Sequence, residues 1–305
     1  MRLGDLAVYF VVRVLICVVQ AVRLETGHRW ARWLAWLFND LLKIRGQVVH
    51  DNLRHAFPGK TEDQIHALAR QMWEHLFLMV LEVAHGPRKI HETNWRDYVR
   101  LKEEARLIRL LISPRPTILV TGHFGNFELG GYILGILGFP TYTVARKLDN
   151  PYLDRFVNRF RGATGQYIIP KKGGYEQILE VLDRGEVIVL LADQYAGPKG
   201  CWVEFFGRPA STHKAIALLA LDRQAPVATV YAKRVGGPLQ LELGTAAVTD
   251  PRHQGVEVAG IRELTEWYTG ELEEMIRHSP EQYWWVHRRW KDTRKRRPSR
   301  ARRAA

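Results

Sequence analysis

The sequence of 305 residues contains only two cysteines, Cys17 and Cys201. Two cysteines cannot build the disulfide framework of a small secreted domain. Cys17 lies in an apolar run and Cys201 lies beside a turn, so both are expected to be reduced thiols in a body that faces the cytosol. The twelve histidines show no His-Glu-x-x-His spacing, and no Cys-x-x-Cys motif occurs. We therefore expect no metal ion and no cofactor.

The sequence also has no internal repeat and no excess of glycine or proline. Hydrophobic residues make up 46% and charged residues 25%, which is typical of a folded globular protein rather than a disordered one. The length allows one large α/β domain or two small ones.

Negative charge is scarce relative to positive charge, since the formal net charge is +13. Residues 291–303 hold eight basic residues and one acid, a net +7, which is about half of the excess. We predict a basic, disordered tail over residues 292–305. Such an excess points to nucleic acid or to an anionic membrane surface, although a solvated tail without any partner has the same composition.

An apolar run at residues 6–22 is interrupted only by Arg13 and Gln20. About 20 apolar residues cross a bilayer, so this run predicts a marginal span or an obliquely inserted anchor. A buried core helix is the alternative, and a cleaved signal peptide is disfavoured because no A-x-A site follows. The next segment interleaves aromatic and basic residues as at a membrane interface, which predicts an anchor over residues 1–40 with the body on the cytoplasmic side. These residues are Arg23, Arg29, Trp30, Arg32, Trp33 and Trp36.

Helical periodicity dominates the chain before residue 90, and short apolar runs alternate with helical patterns after residue 116. Residues 61–64 form a capping-box motif, and the pattern behind them predicts a helix over residues 62–84 that ends at Gly86-Pro87. The later alternation predicts an α/β fold with a mainly parallel sheet and crossover helices, within a domain over residues 41–291. The predicted strands are 118–121, 142–145, 167–169, 187–192 and 227–231, with an edge strand at 239–243; the predicted helices are 127–137, 150–161, 174–184, 213–223 and 261–278.

Two strand ends are candidate sites, because ligands bind at the carboxyl ends of strands in open α/β sheets. One is the segment Gly122-His-Phe-Gly-Asn-Phe-Glu128 and the other is Asp193-Gln194. His123 and Glu128 can meet only if His123 lies on the loop and Glu128 in the first helical turn, which the glycines allow. A carboxylate on one imidazole nitrogen would leave the other nitrogen as a base near neutral pH. The alternative is a packing histidine with an unrelated surface glutamate.

The segment at residues 122–128 resembles the His-x4-Asp/Glu motif of glycerolipid acyltransferases, and specifically that of the bacterial lipid A biosynthesis lauroyl/myristoyl acyltransferases. Further blocks in the same order are similar to blocks of that family over roughly residues 45–291. They are Asn-Leu-x-x-Ala-Phe-Pro at 52–58, Arg-x-x-x-Asn-Pro at 146–151 with Arg-x3-Gly at 161–165, Asp-Gln at 193–194, Phe-Phe-Gly-x-Pro-Ala-x-Thr at 205–212, and a closing aromatic and basic block at 280–290.

The resemblance implies site residues in this chain. His123 would be the general base and Glu128 its orienting partner. Arg161 is the first candidate to bind an oxyanion or a substrate phosphate, and Arg146 is the second, although either could be a surface charge. Asn126 would support the histidine loop or cap the following helix. The remaining candidates are Asp193 and Gln194 as supporting residues, and Arg288 and Arg289 as contacts to lipid headgroups.

The resemblance also implies transfer of a fatty acyl chain from an acyl thioester to a hydroxyl of a membrane glycolipid such as a lipid A precursor, without a covalent acyl-enzyme. The expected donor is acyl carrier protein, and the expected location is the inner membrane with the catalytic domain in the cytoplasm. An acyl-CoA donor and an acceptor of the phosphatidylinositol mannoside type are the alternative. A hydrolase is disfavoured because no Gly-x-Ser-x-Gly motif occurs. No nucleic acid partner is expected, because no binding module is recognised.

Overall fold

A computed structural model describes residues 3–253 and 258–291. The helices are α1 Leu3–Ala21, α2 Leu24–Trp36, α3 Gly46–Ala56, α4 Glu62–Lys89, α5 Glu104–Leu111, α6 Phe127–Ile136, α7 Pro151–Gly162, α8 Tyr175–Asp183, α9 Ala215–Asp222 and α10 Ile261–His278. The strands are β1 Val99–Lys102, β2 Thr117–Thr121, β3 Thr141–Ala145, β4 Gln166–Pro170, β5 Val187–Leu191, β6 Cys201–Phe205, β7 Arg208–Thr212, β8 Val227–Arg234 and β9 Leu241–Thr249. The predicted disordered tail, residues 292–305, lies outside the described residues.

The central sheet has seven strands in the order β1-β9-β8-β2-β5-β3-β4. Neighbouring strands are parallel except β8 and β9, which form an antiparallel pair. Strands β6 and β7 form a separate two-stranded hairpin. The predicted mainly parallel α/β fold is therefore confirmed, and each strand predicted after residue 116 is present.

Strand β2 lies at the centre of the sheet, and all five of its residues are buried. Its alternate residues face opposite layers, as the two-residue period of a strand requires. Ile118 and Val120 pack in the cluster that holds Met72 of α4. Leu119 packs on the other side with Leu134 of α6. Burial on both faces explains why this strand reads as a continuous apolar run.

Helix α4 begins with the predicted capping box at Thr61 but continues through Gly86 and Pro87 to Lys89. The prediction that Gly86-Pro87 ends the helix is therefore wrong. Gly86 lies against the side chain of Leu129 in α6, where a Cβ atom would collide. Packing between α4 and α6 thus outweighs the low helical propensity of these two residues.

Strand β9 is longer than the predicted strand at 239–243, and it is not at the edge of the sheet. It runs through Gly244, whose missing side chain leaves room for the ring of Tyr231 on β8. The edge strand is β1, which pairs with β9 in parallel. Four residues are too few for a clear alternation, so the sequence pattern did not reveal β1.

Helix α1 lies on the outside of the molecule, and none of its residues is buried. Within the described residues it is the one helix whose length and composition would allow it to cross a membrane. One side rests on the body, where the Gln20 side chain donates to the Ala84 carbonyl at 2.8 Å and Asn150 donates to the Asp5 carbonyl at 2.7 Å. This exposure contradicts the buried core helix. The exposed apolar residues are Leu3, Val8, Phe10, Val11, Val14, Leu15 and Val18.

Candidate active site

The loop between β2 and α6 carries His123. Asn126 caps α6, because its side-chain oxygen accepts from the Leu129 backbone N–H at 3.1 Å. The same side chain donates to Glu82 at 2.9 Å, so Asn126 both caps the helix and supports the loop. Gly125 has a φ of +60°, and a Cβ atom there would collide with the Ala232 carbonyl oxygen. Only glycine fits this turn.

Asp193 holds His123 from two sides. One carboxylate oxygen accepts from the His123 backbone N–H at 3.0 Å, and the other lies 2.9 Å from its ring atom Nδ1. Asp193 follows β5, which is adjacent to β2 in the sheet. A carboxylate beside Nδ1 fixes the tautomer with the proton on Nδ1, which leaves Nε2 as the basic atom.

Glu128, the predicted orienting partner, lies against Arg161 and acts on His123 through its charge. The Glu128 carboxylate accepts from Nε of Arg161 at 2.9 Å and also from its Nη2. Asn126 starts the helix so that Glu128, in the first turn, faces α7, whereas the His123 ring turns to the end of β5. Both side chains nevertheless line the same cavity.

The buried His123–Asp193 pair has shifted pKa values. Burial opposes ionisation of Asp193, but the charge and hydrogen bonds of His123 outweigh it and hold the pKa of Asp193 at about 2. Burial lowers the pKa of His123, whereas the negative charge and hydrogen bond of Asp193, helped by the charge of Glu128, raise it above 6.5 overall. A base with a raised pKa is strengthened for accepting a proton near neutral pH.

The ring of His123 is enclosed by its neighbours. Its centroid lies 4.9 Å from that of Trp284 and 5.1 Å from that of Phe127. The side-chain nitrogen of Gln194 lies 3.3 Å from Nε2, so the predicted supporting residues Asp193 and Gln194 both contact the histidine. The sequence pattern does not single out Trp284, because the closing block at residues 280–290 favours a headgroup contact through its basic residues.

A cavity of about 780 Å³ opens beside His123, between the sheet, α6 and α7. Polar groups of His123, Glu128, Arg161 and Gln194 line one part of it. Another part is apolar and is lined by residues of α5, α6 and four strands. These apolar residues are Leu107, Leu119, Leu134, Val189, Val230 and Leu243.

The predicted arginines occupy three different environments. Arg161 is mostly buried against Glu128, whereas Arg146 lies at the cavity rim, largely exposed, and pairs with Asp149 at 3.3 Å. Arg288 is exposed. Arg289 is buried and donates to the Ser211 carbonyl and the Thr212 hydroxyl, both at 2.6 Å. The guanidinium of Arg289, a predicted headgroup contact, is thus directed to β7 inside the protein, whereas Arg288 faces the surface.

Across residues 3–253 and 258–291, no group of three or more His, Cys, Asp or Glu side chains could hold a metal ion.

The sequence also matches a described family. The profile of the bacterial lipid A biosynthesis acyltransferases matches residues 2–292. The chain belongs to this family. It is thus an O-acyltransferase that acts in acyl transfer to a glycolipid of the lipid A type, as the resemblance in the sequence implies.

Curated relatives of the acyltransferase are similar over most of its length. The lipid A biosynthesis lauroyltransferase of Escherichia coli (strain K12) is 26% identical over 259 residues, which are 82% of this chain and 80% of that protein. The lipid A biosynthesis palmitoleoyltransferase of the same organism and the lipid A biosynthesis acyltransferase of Shigella flexneri are each 23% identical over 257 residues, with the same coverage. Among solved structures, the 1-acyl-sn-glycerophosphate (LPA) acyltransferase PlsC from Thermotoga maritima aligns with a TM-score of 0.41 at 13% identity, covering 88% of this chain and 100% of that chain.

Proposed function

We propose that the acyltransferase moves a fatty acyl chain from an acyl thioester, with acyl carrier protein as the preferred carrier, to a hydroxyl of a lipid A precursor. The observation that carries this proposal is the geometry of His123. Asp193 holds its Nδ1 at 2.9 Å, and its ring lines a cavity with polar and apolar parts. A positioned base beside an apolar cavity suits the attack of a lipid hydroxyl on an acyl thioester.

In the proposed reaction, His123 Nε2 takes the proton of the acceptor hydroxyl while that oxygen attacks the thioester carbonyl carbon. The carbon–sulfur bond then breaks, and the protonated imidazole returns its proton to the leaving thiolate. Asp193 stabilises the imidazolium between these two transfers, in the same way as the carboxylate of a catalytic triad. The acceptor oxygen is the nucleophile, so the scheme forms no covalent acyl-enzyme.

Glu128 and Arg161 have a separate task in this proposal. Glu128 occupies two nitrogens of the Arg161 guanidinium, and Nη1 makes no hydrogen bond within the part of the chain that the structure describes. We assign to Arg161 the binding of the carbonyl oxyanion or of a phosphate on the acceptor, because a fixed cation near the base stabilises negative charge as it develops. Arg146 at the rim is the second candidate for the phosphate.

The apolar part of the cavity is the proposed site of the acyl chain. Leu119 and Val189 of the sheet and Leu134 of α6 line it, and the three residues belong to one apolar cluster. An apolar wall binds methylene groups without leaving polar groups unpaired.

The exposed faces of α1 and α2 are the proposed contact with the inner membrane, with the catalytic domain in the cytoplasm. The apolar residues of α1 are followed on α2 by Trp30, Trp33 and Trp36, each more than 40% exposed. Tryptophans of this kind favour the bilayer interface, and the arginines beside them favour anionic headgroups.

The test is to incubate the purified full chain with acyl carrier protein and CoA thioesters and with a panel of glycolipid acceptors, and to read the products by mass. We expect an acylated lipid A precursor from the carrier-protein thioester, and no product from folded His123→Ala. Turnover that survives in His123→Ala would refute the base assignment. Acylation of phosphatidylinositol mannosides from CoA, or release of free fatty acid alone, would assign another acceptor or a hydrolase.

A further inference from the structure

A buried charged cluster lies against the histidine loop at Gly125 and Asn126. Its members are Glu82 and His75 of α4 and Arg234 at the end of β8. Glu82 is fully buried, and the Arg234 guanidinium meets it through two hydrogen bonds of 2.6 and 2.8 Å. Charged groups are seldom fully buried without a partner, so each depends on the other. No step of the proposed reaction uses this cluster.

The hydrogen bonds of the cluster fix the protonation of His75. A guanidinium can only donate, so Nδ1 of His75 accepts from Arg234 at 3.1 Å. The proton is then on Nε2, which donates to the Gly125 carbonyl at 3.1 Å. Burial, together with the charge of Arg234, holds the pKa of His75 at about 3. His75 is therefore neutral near pH 7 and cannot serve as a second catalytic base.

The contacts of the cluster converge on the peptide after His123. His75 holds the Gly125 carbonyl, and Glu82 accepts from the Asn126 side chain at 2.9 Å. The Gly125 N–H donates to the Gln282 carbonyl at 2.9 Å, and the Gln282 side chain makes two hydrogen bonds to the Arg234 backbone. Both backbone groups of Gly125 are thus held, directly or through Gln282, by this cluster.

The other end of the loop is held at the active site itself. The His123 backbone N–H donates to Asp193, and the His123 carbonyl accepts from the Trp284 N–H at 3.1 Å. The loop is therefore held by Asp193 and Trp284 at His123, and at the next residues by the cluster together with the Ala232 carbonyl, which accepts from the Asn126 N–H at 2.6 Å. Loss of the cluster would remove the contacts to the Gly125 carbonyl and to the Asn126 side chain, and the loop could then shift while His123 stays paired with Asp193.

We propose that Glu82, Arg234 and His75 act as one positioning unit, which holds the peptide at Gly125 and Asn126 and so keeps Nε2 of His123 directed into the cavity. This proposal rests on the proposed function for the role of His123. A base displaced by about 1 Å can cost on the order of a hundredfold in rate although substrate binding is unchanged. The unit should therefore act on kcat rather than on KM.

The main test compares His75→Phe, which fills the space without hydrogen bonds, with His75→Gln, which retains a donor and an acceptor. We expect His75→Phe to lower kcat by about tenfold to a hundredfold with KM within about twofold, and His75→Gln to recover most of the rate. Hydrogen exchange at the Gly125 and Asn126 amides should be faster in His75→Phe than in the wild type. Arg234→Lys serves if His75→Phe does not fold, because lysine cannot bridge Glu82 and His75 as the planar guanidinium does.

Asp250→Asn is the matched control, because it disrupts another bidentate ion pair, the one between Asp250 and Arg115. That pair lies next to the other end of β2, and its loss should reduce stability while kcat stays unchanged. The proposal is overturned if folded His75→Phe or Arg234→Lys keeps the wild-type kcat, if their effect falls on KM, or if Asp250→Asn lowers kcat equally. A wild-type chain that forms no acylated lipid would instead refute the proposed function. Hydrogen exchange at the Gly125 and Asn126 amides would still show whether the cluster holds the loop.

Discussion

At the scale of single residues, the distinction between Asp193 and Glu128 decides how the base works. Asp193 touches the imidazole, whereas Glu128 acts on it only through its charge and binds Arg161 directly. Both carboxylates raise the pKa of His123, but the first does so at hydrogen-bond distance. The two residues can therefore be told apart by the pH dependence of the rate.

Replacing Asp193 by asparagine removes the nearer charge. We expect kcat to fall on the order of a hundredfold to ten-thousandfold. The pKa of His123 should fall as well, so the acidic limb of the pH–rate profile moves to lower pH. Glu128→Gln should move this limb less, because its charge acts over a longer distance. Steady-state rates measured from about pH 5 to about pH 9 check both expectations. A larger shift of the acidic limb in Glu128→Gln than in Asp193→Asn would indicate that Glu128 orients His123.

His75 gives a second prediction, on stability rather than rate. Its folded pKa of about 3 lies below the unfolded value of 6.5, so the unfolded chain binds a proton first as the pH falls. The free energy of unfolding therefore keeps its full value above pH 6.5. It decreases progressively as the pH falls towards 3, and this one group accounts for at most about 5 kcal/mol of the decrease. Chemical unfolding at several pH values should show a shallower acid loss in His75→Gln. Equal slopes in the two proteins would contradict this.

At the scale of elements, α6 links the catalytic loop to the apolar cavity. Its first turn follows His123, and Leu134 in its last turns lines the cavity. The helix thus places the base at one end of the cavity and an apolar wall along it. Changes in this wall should alter which acyl chain is preferred.

Leu134→Ala should enlarge the cavity and shift the preference to longer acyl chains. Competition among thioesters of different chain length, read by mass, measures this shift. Leu182→Ala in α8 is the control, because Leu182 is also buried but is not among the residues that line the cavity. Each substitution should cost about 2 to 5 kcal/mol of stability. An identical chain preference in the two variants would show that Leu134 is only a packing residue.

The sequence predicted most elements of the sheet because buried parallel strands form continuous apolar runs. It predicted His123 and Asp193 as separate strand-end residues, but the order β2-β5 that makes them neighbours is a property of the folded sheet. For the same reason Glu128, close in sequence, was preferred as the partner. The burial of Arg289 was likewise hidden, since its partners lie on β7, more than seventy residues away.

At the scale of the whole molecule, the apolar and aromatic surfaces of α1 and α2 should bind membranes. We expect the triple variant Trp30→Ala, Trp33→Ala and Trp36→Ala to bind vesicles with anionic lipids more weakly while it stays folded. Flotation with such vesicles measures the bound fraction. Tyr175→Ala, an exposed aromatic on α8, is the control and should bind as the wild type does. Unchanged flotation of the triple variant would exclude α2 from the interface.

Helix α1 also packs against α7. Tyr9 contacts Tyr152 and Phe156, and Arg13 lies 4.7 Å from the Phe156 ring centroid. Helix α7 in turn carries Arg161 into the cavity. A shortened protein made for easier purification, without the first helix, would leave one wall of its active site unsupported. Rates measured on such a shortened protein would be those of an altered enzyme. Kinetic measurements should therefore use the full chain in detergent or in nanodiscs.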